Sequence, residues 1–265
     1  VGIRNVGWGR MSKKWWDDVE FLIRKVKGLY KRLEEKGKSG WVQASVIKII
    51  KERNWGQVED LIKPNLTKCV SDHTIMYVPK GFEPGPRFVF PQYDLNDVAM
   101  KAQTKPLGED GAKYWIAGDR DNFLGPSWLG NSNEMLARIQ KLGYVLVVEG
   151  TFDFVAVRAL NADIPVLCSL TKKIGRKQEA YLQMLGVKTL YLMFDQDPVG
   201  IEAMTIVART FKSMTVEIVK TPGKDASLAL ENRKHALILR DTLRRIIDKN
   251  ESVMATNITI LEEEE

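Results

Sequence analysis

The sequence predicts an α/β protein. It places a parallel sheet flanked by helices after a mixed α+β subdomain and an N-terminal helical subdomain. Three observations carry this reading. Apolar strand-length runs at 144–148, 165–170, 188–194 and 215–220 alternate with helical stretches near 152–160, 175–185 and 199–212, the βαβ rhythm of a parallel sheet. Between 73 and 130 the pattern is short β-like runs and turns. Before that, apolar residues recur at helical spacing.

Taken in order, Trp15, Val19, Leu22, Val26, Leu29 and Leu33 line one face of a helix over 13–36, which Gly37 and Gly40 end. A second helix is expected over 41–53, with Val42, Val46, Ile49 and Ile50 inward, and a short third near 57–63 that Pro64 stops. Residues 1–65 thus read as a basic helical subdomain. The mixed subdomain, 66–140, has strands at Thr74–Val78, Phe88–Phe90 and Val98–Gln103, with turns at Pro84-Gly85-Pro86 and Asp94–Asp97. The α/β unit spans 141–225. A final helix over 226–248 and an acidic end, Glu262–Glu265, complete 226–265.

Net charge is +6, and its distribution says more than its size. Residues 1–65 hold 15 Lys/Arg against 8 Asp/Glu, while the other 200 hold 25 against 26. A basic quarter suits a polyanion partner, although a solvated helical face has the same composition. Five of the seven tryptophans lie in this quarter. Trp15 fits core packing, whereas Trp8, in the Gly-rich stretch 7–10, suits stacking on single-stranded bases. Two distant cysteines, Cys69 and Cys168, form no C-x-x-C pair and encode no zinc ribbon. They read as buried small side chains in a reducing, cytoplasmic setting. No apolar run is long enough to span a bilayer, so no membrane association is expected. The chain opens on Val1 rather than Met, as a piece of a longer protein would. Gly37-Lys38-Ser39 resembles the end of a phosphate-binding loop, but Arg32 stands where the first glycine belongs. His73 and His235, the only histidines, are assigned structural or solvent roles.

The chemistry is expected at the strand ends. The run 144–148 leads into Glu149-Gly150, with Asp153 four residues after Glu149. The run 190–194 leads into Asp195-Gln196-Asp197, with Gly200 beyond. The last strand ends near Gly223-Lys224-Asp225. Parallel sheets build their sites at the carboxyl ends of strands. Carboxylates gathered there repel unless a cation intervenes, and oxygen-only ligands suit Mg²⁺ or Mn²⁺. Taken singly, each motif has a plainer meaning: Glu-Gly as a turn, Asp197 before Pro198 as a helix cap.

The motifs VVEGTFD (147–153) and MFDQDPVG (193–200) resemble the TOPRIM domain shared by bacterial-type primases, topoisomerases, OLD-type nucleases and RecR-type proteins. Among these, E-G-x-x-D, F-D-x-D and Pro222-Gly223-Lys224-Asp225 are most similar to bacterial- and phage-type primases. Val199 replaces a usual Ala, and Ser169-Leu170-Thr171 stands where primases have a Gly-Thr turn. Upstream, RFVFPQYD (87–94) and Lys113-Tyr114-Trp115 resemble elements of the primase core, and Leu124-Gly125 is a fainter match.

The resemblance implies template-directed synthesis of RNA primers on single-stranded DNA from NTPs, with two Mg²⁺ or Mn²⁺ ions. Glu149, Asp195 and Asp197 would bind metal, with Asp225 a further ligand or water-holder. Asp153 would orient the first cluster, or cap or salt-bridge its helix. Lys101, Lys105 and Lys113, with Arg87, would position phosphates. The expected partners are a single-stranded DNA template, the RNA primer and a replicative helicase. The competing readings are a TOPRIM-type nuclease using the same acids and a non-catalytic nucleic-acid-binding module.

Overall fold

The computed structural model describes residues 40–72, 74–78, 87–93, 99–107, 115–117, 128–130 and 132–263, with isolated helical positions at 24, 28, 31, 32 and 35. The rest of the helix expected over 13–36, together with Trp8, Trp15, His73 and Lys113, lies outside the described residues.

Helix α1 (Trp41–Glu52) follows Gly40 and buries Val46, Ile49 and Ile50. A 3-10 turn (Trp55–Val58) leads into α2 (Glu59–Ser71). The sequence predicts a stop at Pro64, yet α2 runs through Pro64 for another two turns. Its buried face of Ile62, Leu66, Cys69 and Val70 explains this. Burying each such side chain is worth ~1–3 kcal/mol, which together outweighs the ~3 kcal/mol cost of an interior proline.

Four antiparallel strands follow in the order β1-β2-β3-β4: β1 (Met76–Val78), β2 (Arg87–Tyr93), β3 (Ala99–Pro106) and β4 (Trp115–Ala117). Phe88 and Phe90 of β2 are buried. Helix α3 (Asn133–Leu142) is capped by the Ser132 hydroxyl, which accepts from the Met135 N–H, and closes on Gly143 at φ +67°. This left-handed position is one that glycine takes without penalty.

The second sheet comprises β5 (Tyr144–Val148), β6 (Val166–Cys168), β7 (Thr189–Met193) and β8 (Thr215–Ile218), all parallel, in the order β6-β5-β7-β8. Helices α4 (Thr151–Leu160), α5 (Arg176–Met184) and α6 (Pro198–Thr210) connect them. The chain steps outward from β5 to β6, then returns past β5 to β7. Right-handed crossovers therefore put α4 on one face and α5 and α6 on the other. The reversal places a topological switch point between β5 and β7, where such sheets form a crevice. β5 is buried along its whole length, as a strand covered on both faces must be. Both cysteines are buried.

The C-terminal segment differs from the single helix predicted over 226–248. A short helix, α7 (Ala226–Ala229), precedes a break, and α8 (Arg233–Glu263) then runs for 31 residues. Asp225 caps α7 and the Asn232 side chain accepts from the His235 N–H, so each helix has its own N-terminal acceptor. Ala236, Leu239, Leu243 and Ile246 form the buried seam of α8. Among the described residues no helix is long and apolar enough to cross a membrane.

The helical unit is tied to this segment through Trp55. Its ring is fully buried, and its indole Nε1 donates to the Ser227 carbonyl at 2.9 Å. Trp55→Phe should therefore cost about 1–3 kcal/mol in urea unfolding, from the lost hydrogen bond and the smaller ring. Val199→Ala, at a 60% exposed position, should stay within about 0.5 kcal/mol. Equal effects of the two would mean that the helical unit does not lean on Ser227.

Candidate active site

The switch point brings the predicted acids to adjacent strand ends. Val148 pairs with Met193 across β5 and β7, so Glu149 and Asp195 leave the sheet at nearly the same level. Glu149 is largely buried, with 18% of its side chain exposed. Its Oε2 is enclosed and has no hydrogen-bond partner. Burial, then the neighbouring Asp195 charge, pushes its carboxyl up to about 7, against the pull of Lys172. Asp195 is raised for the same reasons, by burial first and then by Asp225.

Asp197 behaves differently. The alternation of a strand would put Asp195 and Asp197 on one face, but β7 ends at Met193, and Asp197 is instead the N-cap of α6. Its Oδ1 accepts from the Gly200 N–H at 2.7 Å, and Pro198 occupies the first helical position. That N–H, together with Lys172, holds its carboxyl below the usual carboxylate range. Gly200 is required here, because a Cβ would collide with the Asp195 carbonyl oxygen.

Asp153 is buried, and both oxygens are engaged. Oδ2 accepts from the Gly150 N–H at 3.1 Å and Oδ1 from the Ser227 N–H at 2.9 Å. Burial, with the Asp225 charge, raises its pKa. Of the roles open to Asp153, the geometry is that of a helix cap which also fastens α4 to α7. Asp225 lies seven residues beyond β8, and its Oδ1 accepts from the Leu228 N–H at 2.7 Å.

Two lysines stand among these acids: Lys172, which the sequence reading did not single out, and Lys224, which it placed in a motif without giving it a role. Lys172, in the β6–α5 loop, places Nζ 3.2 and 3.3 Å from the Asp197 oxygens and 3.9 Å from Glu149 Oε1. Although desolvation lowers it, Asp197 and Glu149 hold its ammonium above the ordinary value. Lys224 lies 3.7 Å from Asp195. A lysine in a loop has no periodicity to mark it; the one signal was its place after a β-strand of an acid-tipped sheet.

Of the basic residues assigned to phosphate positioning, Lys101, Lys105 and Arg87 sit on the antiparallel sheet. Lys105, on β3, holds its ammonium 4.7 Å from the Phe152 ring centroid. Arg53, also not singled out beforehand, lies over the same ring at 4.6 Å and donates to Ser227 Oγ at 2.7 Å. Phe152 is the second residue of α4, three beyond Glu149, and its ring packs against Trp55, Phe88 and Phe90. Arg87 is buried in β2, where desolvation lowers its pKa, and donates to Thr104 Oγ1 at 2.9 Å. That position suits a structural arginine. Lys101 is on β3 opposite Gln92.

Among the described residues no three His, Cys, Asp or Glu side chains are grouped so as to hold a metal ion together. Mg²⁺ does not require such a group: it takes one or two protein carboxylates and fills its shell with water and phosphate oxygens. The enclosed, unpartnered Glu149 Oε2 and the all-oxygen donor set fit such an ion.

Residues 146–230 match the family described as Toprim-like. That match spans 85 of the 265 residues. The wider fold is similar to that of the RNA polymerase domain of Mycobacterium tuberculosis primase DnaG, with a TM-score of 0.60 at 16% identity over 88% of this chain and 84% of that one. The Aquifex aeolicus primase, comprising zinc-binding and RNA polymerase domains, gives 0.55 at 18% identity over 89% and 62%. The primase fragment of the bacteriophage T7 primase-helicase protein gives 0.51 at 17% over 66% and 70%. No curated protein matches by sequence. The likeness establishes the fold, including the parallel sheet and its flanking helices, well beyond residues 146–230.

The raised Glu149 carboxyl predicts a pH dependence of stability in the metal-free protein. Between pH 4.5 and about 7 the folded state binds more protons than the unfolded one. Stability from this group is therefore complete below pH 4.5 and lost as pH rises through about 7. The loss is on the order of 2–3 kcal/mol. Glu149→Gln should flatten the slope between pH 5 and 8 and stabilise the protein at pH 8. Urea titrations at both pH values test this; parallel slopes for the two proteins would show that Glu149 is not held in the protonated form.

Proposed function

We propose that this chain is the catalytic core of a DNA primase, synthesising RNA primers on single-stranded DNA with Mg²⁺ or Mn²⁺. The observation that carries the proposal is the pairing of an acid-tipped Toprim-like sheet with an antiparallel sheet bearing Lys105, joined through Phe152, in a fold that extends along primase cores over most of the chain. A Toprim nuclease needs the acids but not the second sheet.

In primer synthesis a 3′-hydroxyl attacks the α-phosphorus of an incoming NTP and pyrophosphate leaves. Divalent ions, when bound, lower the pKa of the attacking hydroxyl and neutralise charge on the phosphates. Glu149 and Asp195 would hold them, with Asp197 beside them; Asp225 supports the cluster from the α7 side. Asp153 orients the strand-end turn without touching substrate. Lys105 and Arg53 are set to meet phosphate oxygens, with Lys101 and Lys113 assigned to the same role by resemblance and Arg87 to support of the sheet. The cations favour a polyanion across the crevice. We assign the protein to the cytoplasm, with a replicative helicase as its working partner.

The test is incubation with single-stranded DNA, labelled NTPs and Mg²⁺ or Mn²⁺, scoring synthesis and cleavage together. Cleavage without synthesis would replace the primase reading with the nuclease one. Asp195→Asn and Asp197→Asn should each reduce synthesis by on the order of a hundredfold or more, because a carboxamide does not hold a hard cation. Both should fold: Asn serves as an N-cap at 197, and at 195 the change removes repulsion, so its melting temperature should be unchanged or higher. Full synthesis by both variants would remove these acids from the mechanism.

A further inference from the structure

Lys172 is held in place by a loop with little freedom. Leu170 sits at φ +59°, a left-handed conformation rare for a branched side chain. Ser169 Oγ donates to the Thr171 carbonyl at 2.7 Å and lies 3.2 Å from the Val148 carbonyl, while the Lys173 N–H donates to Thr171 Oγ1. The result is an ammonium delivered to the tips of two different strands, spanning Asp197 after β7 and Glu149 after β5. Lys224, 56% exposed, pairs with Asp195 at 3.7 Å.

An ammonium and a divalent ion cannot both sit within 3–4 Å of the same oxygens without strong repulsion. The lysine stem is flexible and carries three donors, so it can swing to another anion when one is offered. A nucleotide triphosphate is such an anion, and a strong acceptor.

We infer that Lys172 is a built-in counter-cation that competes with divalent metal for Glu149 and Asp197 and is drawn off them by the triphosphate of the incoming nucleotide. The inference rests on the metal-dependent polymerase reading above. It makes metal and nucleotide mutually reinforcing ligands: each lowers the cost of binding the other, by the same factor in both directions. Without nucleotide the site stays neutralised by its own side chain and holds metal weakly.

The test is Mn²⁺ titration by calorimetry on the whole chain, first without nucleotide and then with a non-hydrolysable NTP analogue. Lys172→Met should bind Mn²⁺ about tenfold tighter than wild type without nucleotide, and should gain less affinity from the analogue. Lys172→Arg should track wild type. Lys172→Gln keeps a donor for Asp197 but not the charge, and gives the same reading should the Met variant fold poorly. Glu149→Gln should weaken Mn²⁺ in every case. If Lys172→Met and Lys172→Gln bind no tighter than wild type while Glu149→Gln weakens binding, the lysine is a plain ion pair and the inference fails alone. If Glu149→Gln binds as wild type does, the acids do not hold the metal, and both this inference and the metal assignment fall.

Discussion

Asp153 is a carboxylate taken out of water with one backbone N–H on each oxygen, and the site depends on those two bonds. One reaches back to Gly150 and fixes the turn by which Glu149 leaves β5. The other crosses 74 residues to Ser227, two residues past Asp225. Ser227 is itself a junction, with Arg53 on its hydroxyl and the Trp55 indole on its carbonyl. A single buried side chain thus sets the spacing between the first and last acidic segments and ties both to the N-terminal helices. An anion in this position is costly, and its raised pKa records the cost. It is tolerable because both oxygens are hydrogen-bonded, and replacing it with an apolar residue would leave two N–H groups unsatisfied at different places in the fold.

The acids that remain fall into two kinds. Glu149 and Asp195 are raised by burial and by their acidic neighbours, so they are poised to exchange protons or mutual repulsion for a cation. Asp197 sits at a helix N-terminus, and the Gly200 N–H and Lys172 lower it below the usual carboxylate range. Lys172 links the two kinds, with one contact on Glu149 and the others on Asp197. A site of this design is destabilised by its own charge in the absence of metal, which is common where function sets side chains against the requirements of folding.

Much of this was legible in the sequence, and the exceptions share a cause. The acid motifs could be placed because an apolar run of strand length ending in a carboxylate fixes that carboxylate at the carboxyl edge of a parallel sheet. The order β6-β5-β7-β8 could not be read this way, since nothing local says which strand lies beside which. Lys172 and Arg53 acquire meaning only after that order exists. Arg53 meets Ser227 across 174 residues, and Lys172 meets Asp197 because the β6 loop crosses the switch point. Pro64 shows the opposite failure: a sound local rule was overridden by a buried face that the rule does not weigh. Asp197 was open to two readings, as helix cap and as member of the acid cluster, and the geometry shows the cap, with Lys172 between it and Glu149.

The charge asymmetry of the chain takes on spatial sense at Phe152. The excess of positive charge lies in residues 1–65, and Arg53 of that segment reaches the ring from one element while Lys105 reaches it from the antiparallel sheet. The ring itself belongs to the helix that follows Glu149. Cation–π contacts place both cations over one buried ring. The acids, by contrast, are confined to the ends of one sheet and partly balanced by their own lysines. A cation from the helical segment and one from the antiparallel sheet therefore meet on a ring of the helix that follows the first acid. On the primase reading, a nucleotide carrying both phosphates and divalent ions would engage the cations and the acids at once, which a bare anion or a bare metal would not.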